Sequence, residues 1–147
     1  MQGELPDGYS ARGPSLGDFE AVLALIRTCE AADEGEAEMT ADDLRGSWER
    51  ARFELENDAW IVTAPDGRLA GYVDVWAREP GARFVFDGYV HPDFCGHGVG
   101  TFLLRSAEGR ARDQGGSVAS TIVFSKNEAA CRLLTTEGYT LAMHYLR

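Results

Sequence analysis

The stretch that decides the fold is residues 90–104, Val-His-Pro-Asp-Phe-Cys-Gly-His-Gly-Val-Gly-Thr-Phe-Leu-Leu. An apolar strand enters it, Pro92 ends that strand, and residues 98–113 have the apolar spacing of an amphipathic helix. Gly96, Gly98 and Gly100 lie between the strand and the helix. Glycine lets the backbone approach a ligand closely, and the first N–H groups of a helix have no intrahelical acceptor. The stretch therefore predicts a cradle for an anion, with phosphate oxygens as the natural acceptors.

Three kinds of phosphate-binding loop compete for this stretch. A nucleoside-triphosphate loop requires Gly-Lys followed by Ser or Thr, and that sequence is absent. A dinucleotide-binding fold requires Gly-x-Gly-x-x-Gly and an acidic residue about twenty positions further on. Here the third glycine comes one residue early, and residues 117–126 contain no acid. The third kind is a loop that binds the pyrophosphate of coenzyme A.

Residues 95–100, Cys-Gly-His-Gly-Val-Gly, resemble the coenzyme A loop of the GCN5-related N-acetyltransferase (GNAT) superfamily. That loop reads Arg or Gln, two residues, Gly, any residue, then Gly or Ala. Cys95 departs from the pattern: it keeps the backbone N–H of the family's Arg or Gln and loses the long side chain near the phosphates. We expect this change to lower cofactor affinity modestly. His97 could partly replace the lost positive side chain, although a neutral imidazole offers one hydrogen-bond donor at most.

Residues 127–139, Asn-Glu-Ala-Ala-Cys-Arg-Leu-Leu-Thr-Thr-Glu-Gly-Tyr, resemble the second signature of the same superfamily. Asn127, Ala130, Leu133 and Gly138 match it, and Tyr139 is a conservative match. Each block alone also has a purely structural explanation. The glycines of the first could form a tight packing turn before a helix, and Asn127 and Gly138 of the second could simply cap the two ends of a helix. Both blocks in this order favour the superfamily. The amino-terminal region and the hairpin at Trp60 also resemble one half of a tandem GNAT protein of the mycothiol synthase type.

The resemblance implies an α/β fold, with a mixed and mostly antiparallel sheet splayed between strands four and five and helices on both faces. A length of 147 residues with 44% hydrophobic residues suits a single GNAT domain over residues 1–147. The patterns predict strands at 9–12, 59–64, 69–77, 83–90, 118–124 and 139–146. They predict helices at 16–32, 98–114 and 127–137, and another that opens at the N-cap Thr40 and runs towards Leu55.

The resemblance also implies an enzyme, an N-acetyltransferase that moves an acetyl group from acetyl-CoA directly to a primary amine of a small molecule. The backbone of Tyr89 and Val90 would contact the pantetheine arm and the reacting carbonyl, and Asn127 would contact the cofactor arm. The pyrophosphate would lie against the loop residues Cys95, Gly96, His97, Gly98, Val99, Gly100 and Thr101.

Asp87 is the candidate general base, because many members of the superfamily carry an acid facing the acceptor near this position; the alternative is a structural acid at a sheet splay or turn. Leu134 stands where the signature has the tyrosine that protonates the leaving thiolate, and leucine cannot donate a proton. Tyr145 is the candidate replacement, with Ser125, Tyr139 and water as alternatives. The missing tyrosine also supports a second function, a non-catalytic or weakly active coenzyme A-binding module that acts as a regulatory or structural half. Two further polar residues could line the pocket, Tyr72 and Asp74.

The charge of the chain is uneven. The first 60 residues hold 15 acidic residues and 5 arginines, which accounts for the whole formal net charge of -10. Such a field disfavours nucleic acid as a partner. Residues 30–43 are either a solvated acidic connection or a negative rim that attracts a cationic amine acceptor. The acids placed in that connection between the first two helices are Asp33, Glu34, Glu36 and Glu38.

Several other properties are predicted from what the sequence does not contain. The three cysteines and three histidines have no metal-ligand spacing, so we expect reduced thiols and no metal. No run of 18 apolar residues and no secretion signal occurs, which predicts a cytoplasmic protein without membrane contact. Only one strand fits after Gly138, where the superfamily commonly has two. We therefore expect a half of a tandem protein, a shortened domain, or a homodimer in which a second chain covers the open strand edge.

Overall fold

The computed structural model describes residues 5–51, 53–77, 84–94, 98–113 and 119–122. The helices are α1 (Phe19–Glu34), α2 (Ala41–Trp48), α3 (Leu55–Asp58) and α4 (Val99–Asp113), with 3-10 turns at Leu16–Asp18 and Pro92–Phe94. The strands are β1 (Ser10–Arg12), β2 (Ala59–Thr63), β3 (Leu69–Ala77), β4 (Phe84–Val90) and β5 (Ala119–Ile122). The predicted helix at 127–137 and strand at 139–146 lie outside the described residues.

The strands form one sheet in the order β1-β2-β3-β4-β5. The first four are antiparallel to their neighbours, and β5 runs parallel to β4. The pairing of β4 with β5 runs from Phe84 opposite Ala119 to Asp87 opposite Ile122, where the described part of β5 ends. The mixed, mostly antiparallel sheet confirms the predicted fold class.

The β2–β3 hairpin is the strongest local prediction, and the structure confirms it. Gly67 adopts a φ of 93°, a left-handed conformation that side chains other than glycine rarely adopt. The Asp66 carboxylate accepts a hydrogen bond from the Arg68 N–H at 3.0 Å, and the Ala64 N–H donates to the Arg68 carbonyl at 2.8 Å. The turn residues therefore close the hairpin through their own hydrogen bonds.

Helix α4 packs on one face of the sheet, which we call the α4 face. Gly71 makes this contact close: a Cβ built there would lie 2.8 Å from both Leu103 Cδ1 and Val99 Cγ1. Glycine is needed at this position because the helix fills the space that a side chain would occupy. The buried cluster on this face is Val62, Ala64, Ala70, Val73, Val75, Phe86, Phe94, Val99, Leu103, Leu104, Ala107 and Ala111.

Helices α1 and α2 cover the opposite face, which we call the α1/α2 face. The alternation of side chains along β3 sends Val73 to the α4 face and Tyr72 to this one. The buried cluster here is Val22, Leu25, Ile26, Cys29, Leu44, Trp48, Ala59, Ile61 and Tyr72.

Helix α2 begins as predicted and ends earlier. The Asp43 N–H donates to Thr40 Oγ1 at 3.1 Å and the Thr40 N–H donates to Asp43 Oδ2 at 3.2 Å, a reciprocal capping box. The prediction that the helix runs towards Leu55 is wrong, because α2 ends at Trp48. Ala51, the next residue at helical spacing, is exposed, so the buried stripe that supports the helix stops there.

Helix α1 extends further than predicted. It ends at Gly35, whose φ of 85° closes the carboxyl end of the helix. Asp33 and Glu34 therefore belong to α1, and their predicted place in the connection is wrong. Glu36 and Glu38 do lie in the connection, and both are exposed.

In the described part of the chain, no helix is both long enough and apolar enough to cross a membrane. Cys29 is buried as a reduced thiol.

Candidate functional site

The amino-terminal end of α4 has the features of an anion site. Gly98 has a φ of 86°, and a Cβ built on it would meet no atom of the described residues within 4 Å. The Phe102 N–H donates to the Gly98 carbonyl at 3.1 Å and so makes the first hydrogen bond of the helix. The N–H groups of Val99, Gly100 and Thr101 consequently have no acceptor within the helix. The first turn contains no acidic residue, so the positive end of the helix dipole is not neutralised there.

Hydrogen bonds and ring contacts hold the segment between β4 and α4 against the β2–β3 hairpin. The His91 N–H donates to the Ala70 carbonyl at 2.9 Å, and the Phe94 N–H donates to the His91 carbonyl at 2.9 Å. Phe94 is buried, and the Arg68 guanidinium lies 4.7 Å from the centroid of its ring. Arg68 also contacts Asp93 at 3.0 Å. These contacts fix the approach to the cradle relative to the β2–β3 hairpin.

The backbone of β4 faces two directions in alternation. Because the His91 N–H binds the Ala70 carbonyl, the register makes Tyr89 opposite Tyr72 a hydrogen-bonded pair as well. The backbone groups of Tyr89 therefore point to β3, and those of Val90 point to the β5 side. The Val90 carbonyl accepts a hydrogen bond from Cys29 Sγ at 3.3 Å. Of the two residues predicted to contact pantetheine through the backbone, Val90 faces the side where β5 lies.

A second group, the polar cluster, lies on the α1/α2 face and consists of Trp48, Tyr72, Asp74, Asp87 and Tyr89. Trp48 Nε1 donates to the Tyr72 hydroxyl at 3.0 Å, and that hydroxyl donates to Asp74 Oδ2 at 2.5 Å. Asp74 lies opposite Asp87 in the β3–β4 register, and Tyr72 lies opposite Tyr89. The two tyrosine rings stack with centroids 6.5 Å apart. The candidate base Asp87 thus has a second carboxyl group as its neighbour across the strands.

Burial dominates the electrostatics of this cluster. Asp74 is 4% exposed, and burial raises its pKa, with the positive charge of Arg50 and the Tyr72 hydroxyl acting in the opposite direction. Burial also raises the pKa of Tyr72, and the Asp74 carboxylate adds to that shift. Burial raises the pKa of Tyr89, with further contributions from Asp87 and Asp74. Both tyrosines are therefore neutral hydroxyl groups near pH 7.

Asp74 and Tyr72 were predicted as polar residues that could line the pocket. The structure places both on the α1/α2 face, and it buries them in a hydrogen-bonded chain. Asp87 is half-buried and lies one strand closer to the β5 side. Within the cluster, Asp87 is consequently the more exposed of the two carboxyl groups.

Glu30 has a different role from the rest of the acidic segment. It is 7% exposed, and its Oε1 accepts hydrogen bonds from the Glu38 N–H at 3.0 Å and the Met39 N–H at 2.8 Å. The interpretation of residues 30–43 as uniformly solvated is therefore wrong at Glu30, which anchors the connection between α1 and α2. Glu36 and Glu38 remain as exposed acids above this face.

Three contributors to the site were not found from the sequence: the Trp48 donor, the Cys29 thiol and the Arg50 guanidinium. Trp48 falls on the helix predicted from Thr40, but no pattern indicated a hydrogen-bond partner 24 residues away. Arg50 lies between α2 and α3, where the sequence predicted continuous helix. Its guanidinium lies 4.8 Å from the centroid of the Trp76 ring.

Several predicted site residues lie outside the described residues, and their roles stay predictions: Cys95, Gly96, His97, Asn127, Tyr145 and the alternatives Ser125 and Tyr139. Among the residues that are described, no three His, Cys, Asp or Glu side chains are grouped so that they could hold a metal ion.

Comparisons with known proteins agree with this geometry. A family model described as "Acetyltransferase (GNAT) family" matches residues 19–139. L-amino acid N-acyltransferase MnaT from Escherichia coli (strain K12) is 32% identical over 103 residues, which are 67% of this chain and 59% of that protein. A GCN5-related N-acetyltransferase from Sphaerobacter thermophilus superposes with a TM-score of 0.83 at 33% identity, over 93% of this chain and 45% of that one.

A more distant structure shares the fold. The yncA protein of Salmonella typhimurium, solved with its cofactor acetyl-CoA, superposes with a TM-score of 0.70 at 24% identity, over 91% of this chain and 80% of that one. The chain spans 59% of the length of the Escherichia coli relative and 45% of the Sphaerobacter thermophilus chain.

Proposed function

The chain belongs to the acetyltransferase (GNAT) family, and from that premise we propose that it is a cytoplasmic N-acetyltransferase. It moves the acetyl group of acetyl-CoA directly to a primary amine of a small molecule. One observation carries the proposal: α4 begins with the N–H groups of Val99, Gly100 and Thr101, which have no acceptor within the helix, and no atom of the described residues lies within 4 Å of a Cβ built at Gly98. A coenzyme A pyrophosphate fits such a site in charge and in its need for hydrogen-bond donors.

The chemistry requires three actions from the protein. Acetyl-CoA supplies an activated acetyl group, and the acceptor must reach it as a neutral amine. Asp87, directly or through water, takes the proton from the ammonium group. The Val90 N–H faces the β5 side and is placed to hydrogen-bond the oxyanion that forms on the carbonyl. The C–N bond then forms and the C–S bond breaks, Tyr145 gives its proton to the thiolate, and the second proton lost by the attacking nitrogen restores the Tyr145 hydroxyl.

The acceptor is proposed to be a small amine that is cationic before it reacts. Glu36 and Glu38 support this, because exposed acids near the α1/α2 face raise the local concentration of cations. The name of the Escherichia coli relative, an L-amino acid N-acyltransferase, adds L-amino acids to the acceptors that we propose.

The cofactor site is tested by thermal unfolding with and without acetyl-CoA. A ligand that binds only the folded state stabilises it by about 2.7 kcal/mol at a concentration of 100 Kd. Gly98→Val should abolish the rise in melting temperature, because the side chain fills the space at the cradle. Gly35→Val is the matched control, since its φ of 85° and its open surroundings reproduce the strain at Gly98, but at the carboxyl end of α1.

Both variants should melt at a lower temperature than the parent protein, and only Gly98→Val should lose the response to acetyl-CoA. An undiminished response in a folded Gly98→Val protein contradicts the cradle.

A second function is favoured by Leu134, which replaces the tyrosine of the family signature. It is a coenzyme A-binding module with little or no transfer activity, serving as a regulatory or structural partner. Thiol release from acetyl-CoA with a panel of amines separates the two functions. Release that falls in Asp87→Asn while the thermal response persists supports the enzyme. A thermal response without release from any amine supports the module.

A further inference from the structure

Arg50 is a cation held by aromatic rings and not by an acid. Its guanidinium carbon lies 4.8 Å from the centroid of the Trp76 ring and 5.5 Å from that of Phe53. The residue is half-buried. In the ranges that the structure describes, no carboxylate oxygen lies within 4.0 Å of its nitrogen atoms. The rings fix the plane of the guanidinium and leave its hydrogen-bonding edge available.

Other arginines of this acidic protein are satisfied differently. Each of four binds a carboxylate at 2.6 to 2.8 Å: Arg12 with Asp18, Arg45 with Asp42, Arg68 with Asp66 and Arg110 with Asp58. Bidentate pairing with a carboxylate is the interaction for which the guanidinium is best shaped. Arg50 is half-buried and has no such partner among the described residues, although the chain has 24 acidic residues, so it is suited to a carboxylate that arrives with a ligand.

The position of Arg50 relates it to the proposed acceptor. Trp76 follows Asp74 by two residues on β3, so the two side chains share a face and are about 7 Å apart along the strand. Asp74 lies opposite Asp87. The charge of Arg50 acts on the Asp74 carboxyl and opposes the effect of its burial. A positive group therefore lies one row of side chains from the carboxyl that is proposed to receive the amine.

We propose that Arg50 binds the carboxylate of an amino acid acceptor while Asp87 faces its amine, so that Arg50 selects amino acids over amines without a carboxylate. The proposal rests on the proposed function, since it concerns the acceptor of the same reaction. The α-carbon of an amino acid separates its amine from its carboxylate by one atom. An acceptor bound at both ends would present its amine in one orientation, which favours attack on the acetyl group.

The test compares acceptors that differ only in the carboxylate. Phenylalanine is assayed against phenethylamine, and other L-amino acids against the amines obtained by their decarboxylation, with thiol release from acetyl-CoA as the signal. Arg50→Gln should lower kcat/KM for the amino acids about 10- to 100-fold, mainly through KM, because a hydrogen bond between charged groups is lost. The values for the matched amines should stay unchanged.

Arg45→Gln is the control for a general loss of arginine. Arg45 also lies over an aromatic ring, at 5.4 Å from the centroid of Phe19, but it pairs with Asp42 at 2.7 Å and is exposed. It should leave the ratio of amino acid to amine unchanged. Arg50→Lys keeps the charge and loses the planar fork, so it should give an intermediate ratio. It also replaces Arg50→Gln as the test variant if thermal unfolding shows that the glutamine protein is not folded.

The outcomes separate this inference from the proposed function. Equal losses for amino acids and amines in Arg50→Gln would assign Arg50 a structural role only and overturn the inference. A parent protein that acetylates amines as well as their amino acids would also overturn it, and the N-acetyltransferase function would stand. Absence of thiol release with every acceptor overturns the proposed function and the inference together.

Discussion

The two faces of the sheet are built from the same strands and differ in what they bury. The α4 face buries mainly apolar residues, from Val62 to Ala111, together with Ser106, which bonds to the α4 backbone, and Asp58, which pairs with Arg110 of α4. The α1/α2 face buries Tyr72, Asp74 and Glu30 among its apolar residues, each with hydrogen-bond partners. The strands achieve this because alternate residues point to opposite faces. The apolar face positions the start of a helix, whereas the mixed face keeps ionisable groups away from water.

This contrast separates two ways of stabilising a site. Close packing holds the cradle, so changes of volume on the α4 face should be costly. Hydrogen bonds hold the polar cluster, so changes of chemistry at constant volume should be costly on the other face. In the described residues every buried side-chain nitrogen or oxygen has a hydrogen-bond partner. Removing one polar group from the α1/α2 face therefore leaves its partner unsatisfied.

The largest effect is expected for Gly71→Val, which tests the packing of the α4 face. The new Cβ would lie 2.8 Å from Leu103 Cδ1 and Val99 Cγ1, so these side chains or α4 itself must shift away from the sheet. We expect a loss of about 3 kcal/mol in the free energy of unfolding, measured in urea. Gly88→Val is the control in the neighbouring strand, because a Cβ there would meet Val73 Cγ2 at 3.7 Å, an ordinary contact. If both variants lose similar free energy of unfolding, the close packing of α4 against Gly71 does not explain the loss.

A smaller effect is expected for Tyr72→Phe, which changes the chemistry of the other face at nearly constant volume. Loss of the hydroxyl leaves the Trp48 N–H and the Asp74 carboxyl without this partner, at a cost of about 2 kcal/mol in the free energy of unfolding. The same substitution in an Asp74→Asn background supplies the double-mutant cycle. If Tyr72→Phe costs the same in both backgrounds, the hydroxyl and the carboxyl are not coupled.

The smallest effects concern pH, and two carboxyl groups should respond in opposite directions. Burial raises the pKa of Asp74 above 3.8, so the folded state binds its proton more tightly and the parent protein should lose stability relative to Asp74→Asn as pH rises through the raised pKa. The Arg12 guanidinium and the Ser15 N–H lower the pKa of Asp18 to about 2. Its contribution is present above pH 3.8 and should disappear as pH falls through about 2.

Asp18 is near the surface, and solvent screening limits its contribution, so Asp18→Asn should cost about 1 kcal/mol at neutral pH and low salt. Urea unfolding of both variants between pH 2 and pH 7 measures the two slopes. If stability depends on pH with the same sign for both carboxyl groups, burial does not control the pKa of Asp74.

Features that depend on neighbouring residues were predicted well from the sequence. The hairpin at Asp66-Gly67, the Thr40 cap and the start of α4 at the glycine loop all follow from turn, capping and backbone preferences that act within a few residues. The early end of α2 was missed, because burial against the sheet decides whether a short helix continues. The extension of α1 to Glu34 was also missed. The acidic residues before Gly35 suggested a solvated connection, although Gly35 is the residue that ends the helix.

The sequence by itself determined the order of the described elements and the glycine turn before α4, since glycine spacing and apolar periodicity are local properties, and its family resemblance determined the fold class. Only the tertiary structure decided that Asp74 faces Asp87, that Trp48 reaches Tyr72 and that Arg50 lies on Trp76. Those contacts join residues up to 26 positions apart, and Cys29 reaches Val90 across 61 positions. Strand register and helix packing set such pairs, and both depend on how the whole chain buries its apolar surface.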